Sequence, residues 1–554
     1  MNNIALAFSG GGFRAACFSL GTLSYLHHLK YNGRPLLENV KYISSTSGGS
    51  ITNLVYSRFH FNGRPFSECY SFLCEKLDGE ILLARALHIL SDSKEWKKRP
   101  EKSRNLINAF SLAYDELLFN GEEWSLFSNH SPQTSLGEIC INGTEFTNGL
   151  PFRFQSKPPG EKSAGLIGNR YIFFKKSAQE TSKKLRLGDI LATSSCFPSG
   201  FEPMIFPDDY THEGLNATAI SKAISYKANR YTLPDNKSVQ DATENYNRFD
   251  LLKDEQFTSG IRFGIMDGGV TDNQAIDAFK KADTRRAKNR FDLFIATDVT
   301  SYLMDGYTLP LEKKKWYNFF SLKFISLLWL LCSLFLPLLL LLNPQPWKAW
   351  MYISGTISGL LLLPVLYLFF PSLKKIVLGK KAKTSWELVF KKYRHIFLGI
   401  RIGAVKQMIR SRAKSVLILA NDVYLKQIRR MYYDALYADP LYKDRCVQNA
   451  IYDLSLINFS PADLSTDPLH PSATLIAMAE KARNMGTTLW FDKNHQAEKM
   501  KESIIASGQF TCCYNLLKYF NEKKKGTLTT AETELKKQLL ADWEQFNKKP
   551  GWLL

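Results

Sequence analysis

Acidic residues are scarce in this sequence of 554 residues: 52 Asp and Glu face 72 Lys and Arg, for a net charge of +20. Such an excess points to an anionic partner, either nucleic acid or a lipid surface. No zinc-finger, RNP-type or basic-zipper pattern occurs, which argues against nucleic acid. Zinc-type C-x-x-C spacing is missing too. The nine cysteines are odd in number and scattered, which predicts reduced thiols in a reducing compartment. No basic n-region, long apolar h-region or cleavage site precedes the first strand-like run at Ile4, so no secretory signal is expected. Asn-x-Ser/Thr matches such as Asn216-Ala-Thr218 are then fortuitous. Internal repeats are absent, and so is low complexity outside one basic flank.

Long apolar runs, in contrast, are present twice. Phe324 to Leu342 is a run of nineteen residues without charge, and Ala349 to Phe370 is a second of twenty-two. Each is long enough to cross a hydrocarbon core of roughly 30 Å at 1.5 Å per residue. Pro337 and Pro364 would kink such helices without excluding them. Lys313, Lys314, Lys315 and Lys323 precede the first run. Residues 374–414 hold thirteen Lys or Arg against one acid, Glu387, whereas the intervening turn holds only Lys348. By the positive-inside rule both outer ends face the cytoplasm, which predicts an inner-membrane protein. The basic flank 374–414 then lies against anionic lipid head groups, at about 1 kcal/mol per basic residue.

The chain divides accordingly into three expected parts. Residues 1–310 form the first part of a catalytic domain, residues 311–375 a transmembrane hairpin, and residues 376–554 a basic, mostly helical remainder that packs on the first part. Residues 1–60 alternate strand, glycine turn, helix, strand, turn and helix, which implies an α/β fold with a largely parallel sheet. Residues 207–260 are polar and irregular, and a loop of that length in a compact domain is usually functional or disordered.

Four short segments carry chemistry. Gly10-Gly11-Gly12 follows an apolar run and opens a helix, so it can present bare N–H groups to an anion. A phosphate loop and a plain tight turn are the alternatives. No Gly-Lys-Ser/Thr follows to make a P-loop, and no acid in a second-strand context supports a dinucleotide site. Arg14, one turn into the helix, is suited to steady this loop or attract phosphate head groups. Ser47, between Val40–Ser44 and Ile51–Tyr56, occupies a strand-to-helix turn where a hydroxyl becomes an exposed nucleophile. Its neighbours at the two glycine positions of G-x-S-x-G are Ser45 and Gly49; a flexible loop is the alternative. Asp267, followed by Gly268 and Gly269, ends another strand-like run. A serine needs a base, and no histidine lies in a comparable context: His27, His28 and His88 fall in helical runs and His470 beside a proline. A direct Ser–Asp dyad fits the sequence better. Ala192 to Pro203 reads as a rigid loop beside an apolar cleft.

Together the segments Ser9–Arg14, Ser45–Ser50, Ala192–Pro198 and Asp267–Val270 resemble the patatin-like phospholipase family, and the first two also resemble the group IV cytosolic phospholipases. Gly486–Phe491 and Ala506–Leu517 are similar to a tail of bacterial members. The resemblance implies a three-layer α/β fold and a serine acyl hydrolase without metal or cofactor. It makes Ser47 the nucleophile, Asp267 the general base, and the N–H groups of Gly10, Gly11 and Gly12 the oxyanion hole. The expected substrate is membrane phospholipid. A lapsed scaffold on the same fold and a lipid acyltransferase are the competing readings.

Overall fold

The computed structural model describes residues 1–128, 134–158, 165–198, 200–226, 262–286, 289–300, 316–328, 331, 396, 398–457, 469–524 and 526–554. By contact these fall into two compact units, Met1–Met304 with Tyr424–Leu554, and Asp305–Val423.

The first unit is built on one sheet of eleven strands. They are β1 (Ile4–Phe8), β2 (Val40–Thr46), β3 (Glu138–Glu145), β4 (Leu150–Gln155), β5 (Leu166–Gly168), β6 (Ile172–Phe174), β7 (Met204–Phe206), β8 (Ile224–Tyr226), β9 (Phe263–Asp267), β10 (Leu293–Asp298) and β11 (Cys446–Ala450). The helices that matter here are α1 (Gly12–His28), α2 (Gly48–Phe61), α3 (Leu187–Ser195), α4 (Ile276–Arg285), α5 (Leu425–Tyr437) and α6 (Met500–Lys518).

Side-chain alternation gives the sheet two apolar faces. Ile4, Leu6 and Phe8 of β1 enter one cluster with Phe18 of α1, Leu54 of α2 and Phe510 of α6. Ala5 and Ala7 enter another, with Phe279 of α4 and Tyr433 and Leu436 of α5. Strand β10 divides in the same way, Leu293 and Ile295 against Phe294 and Ala296. Helices therefore cover both faces, which gives three layers, and β1, buried on both sides, runs apolar throughout, as in parallel sheets.

The centre is parallel, as expected. The order β3–β2–β1–β10–β11 pairs parallel at every step. Beyond β3 the sheet continues antiparallel through β4, β5, β6 and β8. β9 also pairs antiparallel with β3 and with β7.

The register on β3 sets where Ser47 and Asp267 stand. Thr46, the last residue of β2, pairs with Asn142 of β3, and Asp267, the last residue of β9, pairs with Gly143. Adjacent residues of a single strand thus hold the ends of β2 and β9 together.

Several expectations change. The expected hairpin helices at 324–342 and 349–370 lie almost entirely outside the described residues, as does most of the basic flank. Among the described residues no helix is long and apolar enough to cross a membrane, so the inserted hairpin has no structural support. The polar stretch 207–260 is not all loop: Ala217–Ala223 is helical, capped by the Asn216 side chain, and leads into β8. Residues 227–260 of that stretch lie outside the described residues. Ala192–Ser195, read as loop, is the last turn of α3.

Candidate active site

β2 ends on Thr46 and α2 begins at Gly48, so Ser47 must reverse the chain in a single residue. It does so at φ 51°, ψ −125°, a positive-φ conformation that L-residues rarely adopt. The strain is held in place by close backbone packing. A Cβ on Gly49 would lie 2.6 Å from Ser9 O, and one on Gly48 would overlap Gly12 O. Only glycine fits at either position. Gly49 N–H donates to Ser9 O at 3.2 Å.

A chain of hydroxyls braces the turn from behind. Ser47 N–H donates to Ser194 Oγ at 3.0 Å, and Ser194 Oγ donates to Asn142 O at 2.7 Å. Ser194 Oγ also meets Ser50 Oγ (2.9 Å), and Ser50 meets Ser45 Oγ (3.0 Å), which accepts from Asn53 Nδ2 (2.9 Å). Ser45, the departure from glycine, is therefore fully buried yet hydrogen-bonded, which avoids the cost of an orphaned hydroxyl.

The glycine turn lies against the serine. A Cβ on Gly10 would come 3.2 Å from Ser47 Cβ and would overlap Asn273 Oδ1. Gly11 and Gly12 have φ +141° and +59°. Gly10 is corrected as an oxyanion donor, because its N–H is already given to Asn273 O at 2.8 Å. The N–H groups of Gly11 and Gly12 have no acceptor among the described residues. Thr488 presses on the turn from the other side: Phe13 N–H donates to its carbonyl at 2.8 Å, and a Cβ on Gly12 would overlap that oxygen.

Asp267 stands at the end of β9, only 2% exposed. Its Oδ1 accepts Gly269 N–H at 2.6 Å, whereas Oδ2 has no hydrogen-bond partner of ordinary length among the described residues. Burial pushes the carboxyl up to about 7, opposed first by the neighbouring Ser47 hydroxyl and then by Gly269 N–H. Gly268 is required because a Cβ there would overlap Asn142 O. No histidine among the described residues hydrogen-bonds to Ser47 or Asp267. His28 meets Asp542, His88 meets Arg85, and the His27 ring packs on Phe66.

Arg14 does not face solvent or an open cleft. Only 8% exposed, it donates to the carbonyls of Arg483 (3.1 Å) and Met485, which excludes a head-group role and leaves that of loop support. Burial lowers its pKa to about 10. Among the described residues no group of three or more His, Cys, Asp or Glu is placed to hold a metal ion.

The sequence reading missed Asn273, Ser194 and Thr488. Ser194 lies in a segment already singled out for its small residues. Thr488 also lies in a segment already singled out, Gly486–Phe491, whereas Asn273 has no local signal, because its partner Gly10 lies far along the chain.

A strained serine between a parallel strand and a helix, with glycine N–H groups beside it, has the backbone geometry that a nucleophile elbow requires. The family model described as Patatin-like phospholipase matches residues 6–280, and the chain carries a patatin-like phospholipase domain there. Among solved structures, human GIVD cytosolic phospholipase A2 is similar at 14% identity and a TM-score of 0.32, over 54% of this chain and 45% of that one. The same human protein in complex with methyl gamma-linolenyl fluorophosphonate inhibitor and terbium chloride matches at 15% identity and a TM-score of 0.27, over 53% and 40%. The chain thus covers less than half the length of these neighbours. No curated protein matches it.

Proposed function

We propose that the chain is a serine acyl hydrolase that cleaves fatty-acyl esters of phospholipids or related lipids through a Ser47–Asp267 dyad. The supporting observation is the convergence of a strained Ser47 and a buried Asp267 on adjacent residues of β3, with the spare N–H groups of Gly11 and Gly12 beside them. Ser47 Oγ attacks the ester carbonyl while Asp267 takes its proton. The oxyanion is held by Gly11 and Gly12 N–H, each such donor contributing about 3–4 kcal/mol in the transition state. The leaving alkoxide takes the proton from Asp267. Water then attacks the acyl-serine, Asp267 accepting its proton, and Ser47 Oγ is released as the hydroxyl.

Attachment to the cytoplasmic face of a membrane belongs to the same proposal. It rests on the two uncharged runs and their basic flanks in the sequence. Helix Ile402–Ile418 adds exposed apolar side chains (Ile409, Val416 and Leu417) on an element that also carries Arg410 and Arg412.

The test is fluorophosphonate labelling with fatty-acid release from phospholipid vesicles, comparing wild type, Ser47→Ala and Asp267→Asn. Labelling and release should both vanish in the first variant, and release should fall by at least a hundredfold in the second. Hydrolysis that survives Ser47→Ala in folded protein would refute the proposal.

A further inference from the structure

Helix Ile402–Ile418 turns its apolar side outward. Its half-buried side is the row Gln407, Ser411, Lys414 and Ile418, spaced i, i+4, i+7, i+11 along one face. The opposite row is Ile409 (59% exposed), Ala413 and Val416 (62% exposed), widened by the exposed Met408 and Leu417. A helix on a protein surface in water does the reverse: its apolar stripe faces the core and its polar side faces solvent.

The charges on this helix have one sign. Lys406, Arg410 and Arg412, all exposed, flank the apolar row. Neither Asp nor Glu occurs in 316–328 or 398–418, which also hold Lys323 and Arg401. Long basic side chains lay their methylene stems along an apolar surface and put the charge at its edge. An apolar row edged by cations fits a surface that is apolar inside and anionic at its boundary, which is the make-up of an anionic bilayer.

The position of the helix agrees. Ile402 N–H donates to Phe320 O (2.9 Å) and Leu322 N–H donates to Ile400 O (3.0 Å). The helix therefore starts beside Phe324, where the first uncharged run of the sequence also starts. The Phe320 ring stacks on Phe324 at 4.7 Å and meets Trp316 at 5.7 Å. Trp316 and Phe319 are 76% and 61% exposed. Exposed aromatics at the foot of an apolar run mark the level where a chain meets lipid head groups.

We propose that helix Ile402–Ile418 lies in the head-group layer of an anionic bilayer. Ile409, Ala413 and Val416 reach the acyl boundary, and Lys406, Arg410 and Arg412 stand among the lipid phosphates. The inference rests on the membrane attachment proposed above and adds its lipid partner, a head group of net negative charge. It is independent of the chemistry at Ser47.

The test uses the full chain with vesicles of phosphatidylcholine, prepared with and without phosphatidylglycerol. An environment-sensitive fluorophore is placed on Ile409→Cys, Val416→Cys or Ser411→Cys, each variant checked by circular dichroism. Labelled wild type supplies the background from native cysteines, most of which are buried among the described residues. With phosphatidylglycerol, labels at Ile409 and Val416 should shift to the blue and be quenched by brominated acyl chains roughly threefold more than the label at Ser411. That contrast should shrink without phosphatidylglycerol, and also with it when Arg410→Gln and Arg412→Gln are combined. Vesicle flotation separates this inference from the reading beneath it. A chain that floats while all three labels stay in water, or are quenched alike, overturns the inference and leaves attachment standing. Equal contrast in both lipid mixtures overturns the preference for anionic lipid. A chain that floats with neither mixture overturns attachment and the inference together.

Discussion

Ser47, only 9% exposed, is held at its turn under backbone strain. A non-glycine residue at positive φ costs on the order of 1–3 kcal/mol, and the surrounding packing must enforce it. Ser47→Gly should abolish activity yet raise the unfolding free energy by about 1 kcal/mol, whereas Ser47→Ala keeps the strain and gains nothing; denaturant melts of the two variants separate them. Asp267 stores energy in a different way. Its carboxyl, lifted from 3.8 to about 7 by burial, keeps its proton in the folded chain at pH values where the unfolded chain has lost it. Stability therefore falls as pH rises between those values, and the full cost persists above about 7. The base form needed for proton abstraction appears in the folded chain only as pH passes about 7. In the proposed mechanism kcat/KM should rise with an acid limb near pH 7, and Asp267→Asn should be inactive but more stable than wild type at pH 8, the gap closing towards pH 4. An acid limb at the ordinary aspartate pKa would show that the carboxyl is not buried in solution.

At the scale of elements, α3 and α5 hold the site from two sides. Ser194, in the last turn of α3, is a positioning residue, because its Oγ accepts the Ser47 N–H. Ser194→Ala should lower kcat roughly tenfold, the worth of one hydrogen bond near 1.4 kcal/mol, and leave KM nearly unchanged. Equal changes in both constants would indicate a merely structural role. On the other side, Arg429 of α5 pairs at 2.6 Å with the fully buried Asp298 at the end of β10. Val299, the next residue, meets the glycine turn, where a Cβ on Gly11 would overlap it. Breaking a buried pair by removing one partner costs about 3–5 kcal/mol, so Arg429→Met should destabilise the fold by about that amount in urea melts. Arg14 works alike from within α1, tying the helix after the glycine turn to the carbonyls of Arg483 and Met485. Lysine at either position does not reproduce the planar fork of donors.

At the scale of the whole molecule, the segment 424–554 is integral to the sheet unit. β11 supplies the strand beside β10, and α6 packs so tightly on α1 that a Cβ on Gly21 or Gly508 would overlap backbone across the contact. A chain shortened to end at residue 300 would expose the β10 edge and the apolar face of α1. It should fail to fold, as read by circular dichroism and limited proteolysis, although the stretch matching the family model would be intact.

Much of this was legible in the sequence where signals are local. A glycine turn after an apolar strand, a serine between strand and helix, and an aspartate before two glycines each announce themselves within ten residues, because backbone conformation is set by immediate neighbours. The parallel centre followed from the alternation of strand-like and helix-like segments in residues 1–60. Position in space was not legible. That Asp267 ends its strand beside the Ser47 turn depends on register against β3, that Gly10 is engaged by Asn273 depends on a carbonyl 263 residues away, and that Arg14 is buried depends on residues beyond 480. The sequence by itself determined which residue types stand ready for acyl transfer and which turns present them. Only the tertiary structure decided which N–H groups remain free, which carboxyl loses its water and which arginine is tied into the fold, because burial and pairing are properties of elements packed together and not of any one of them.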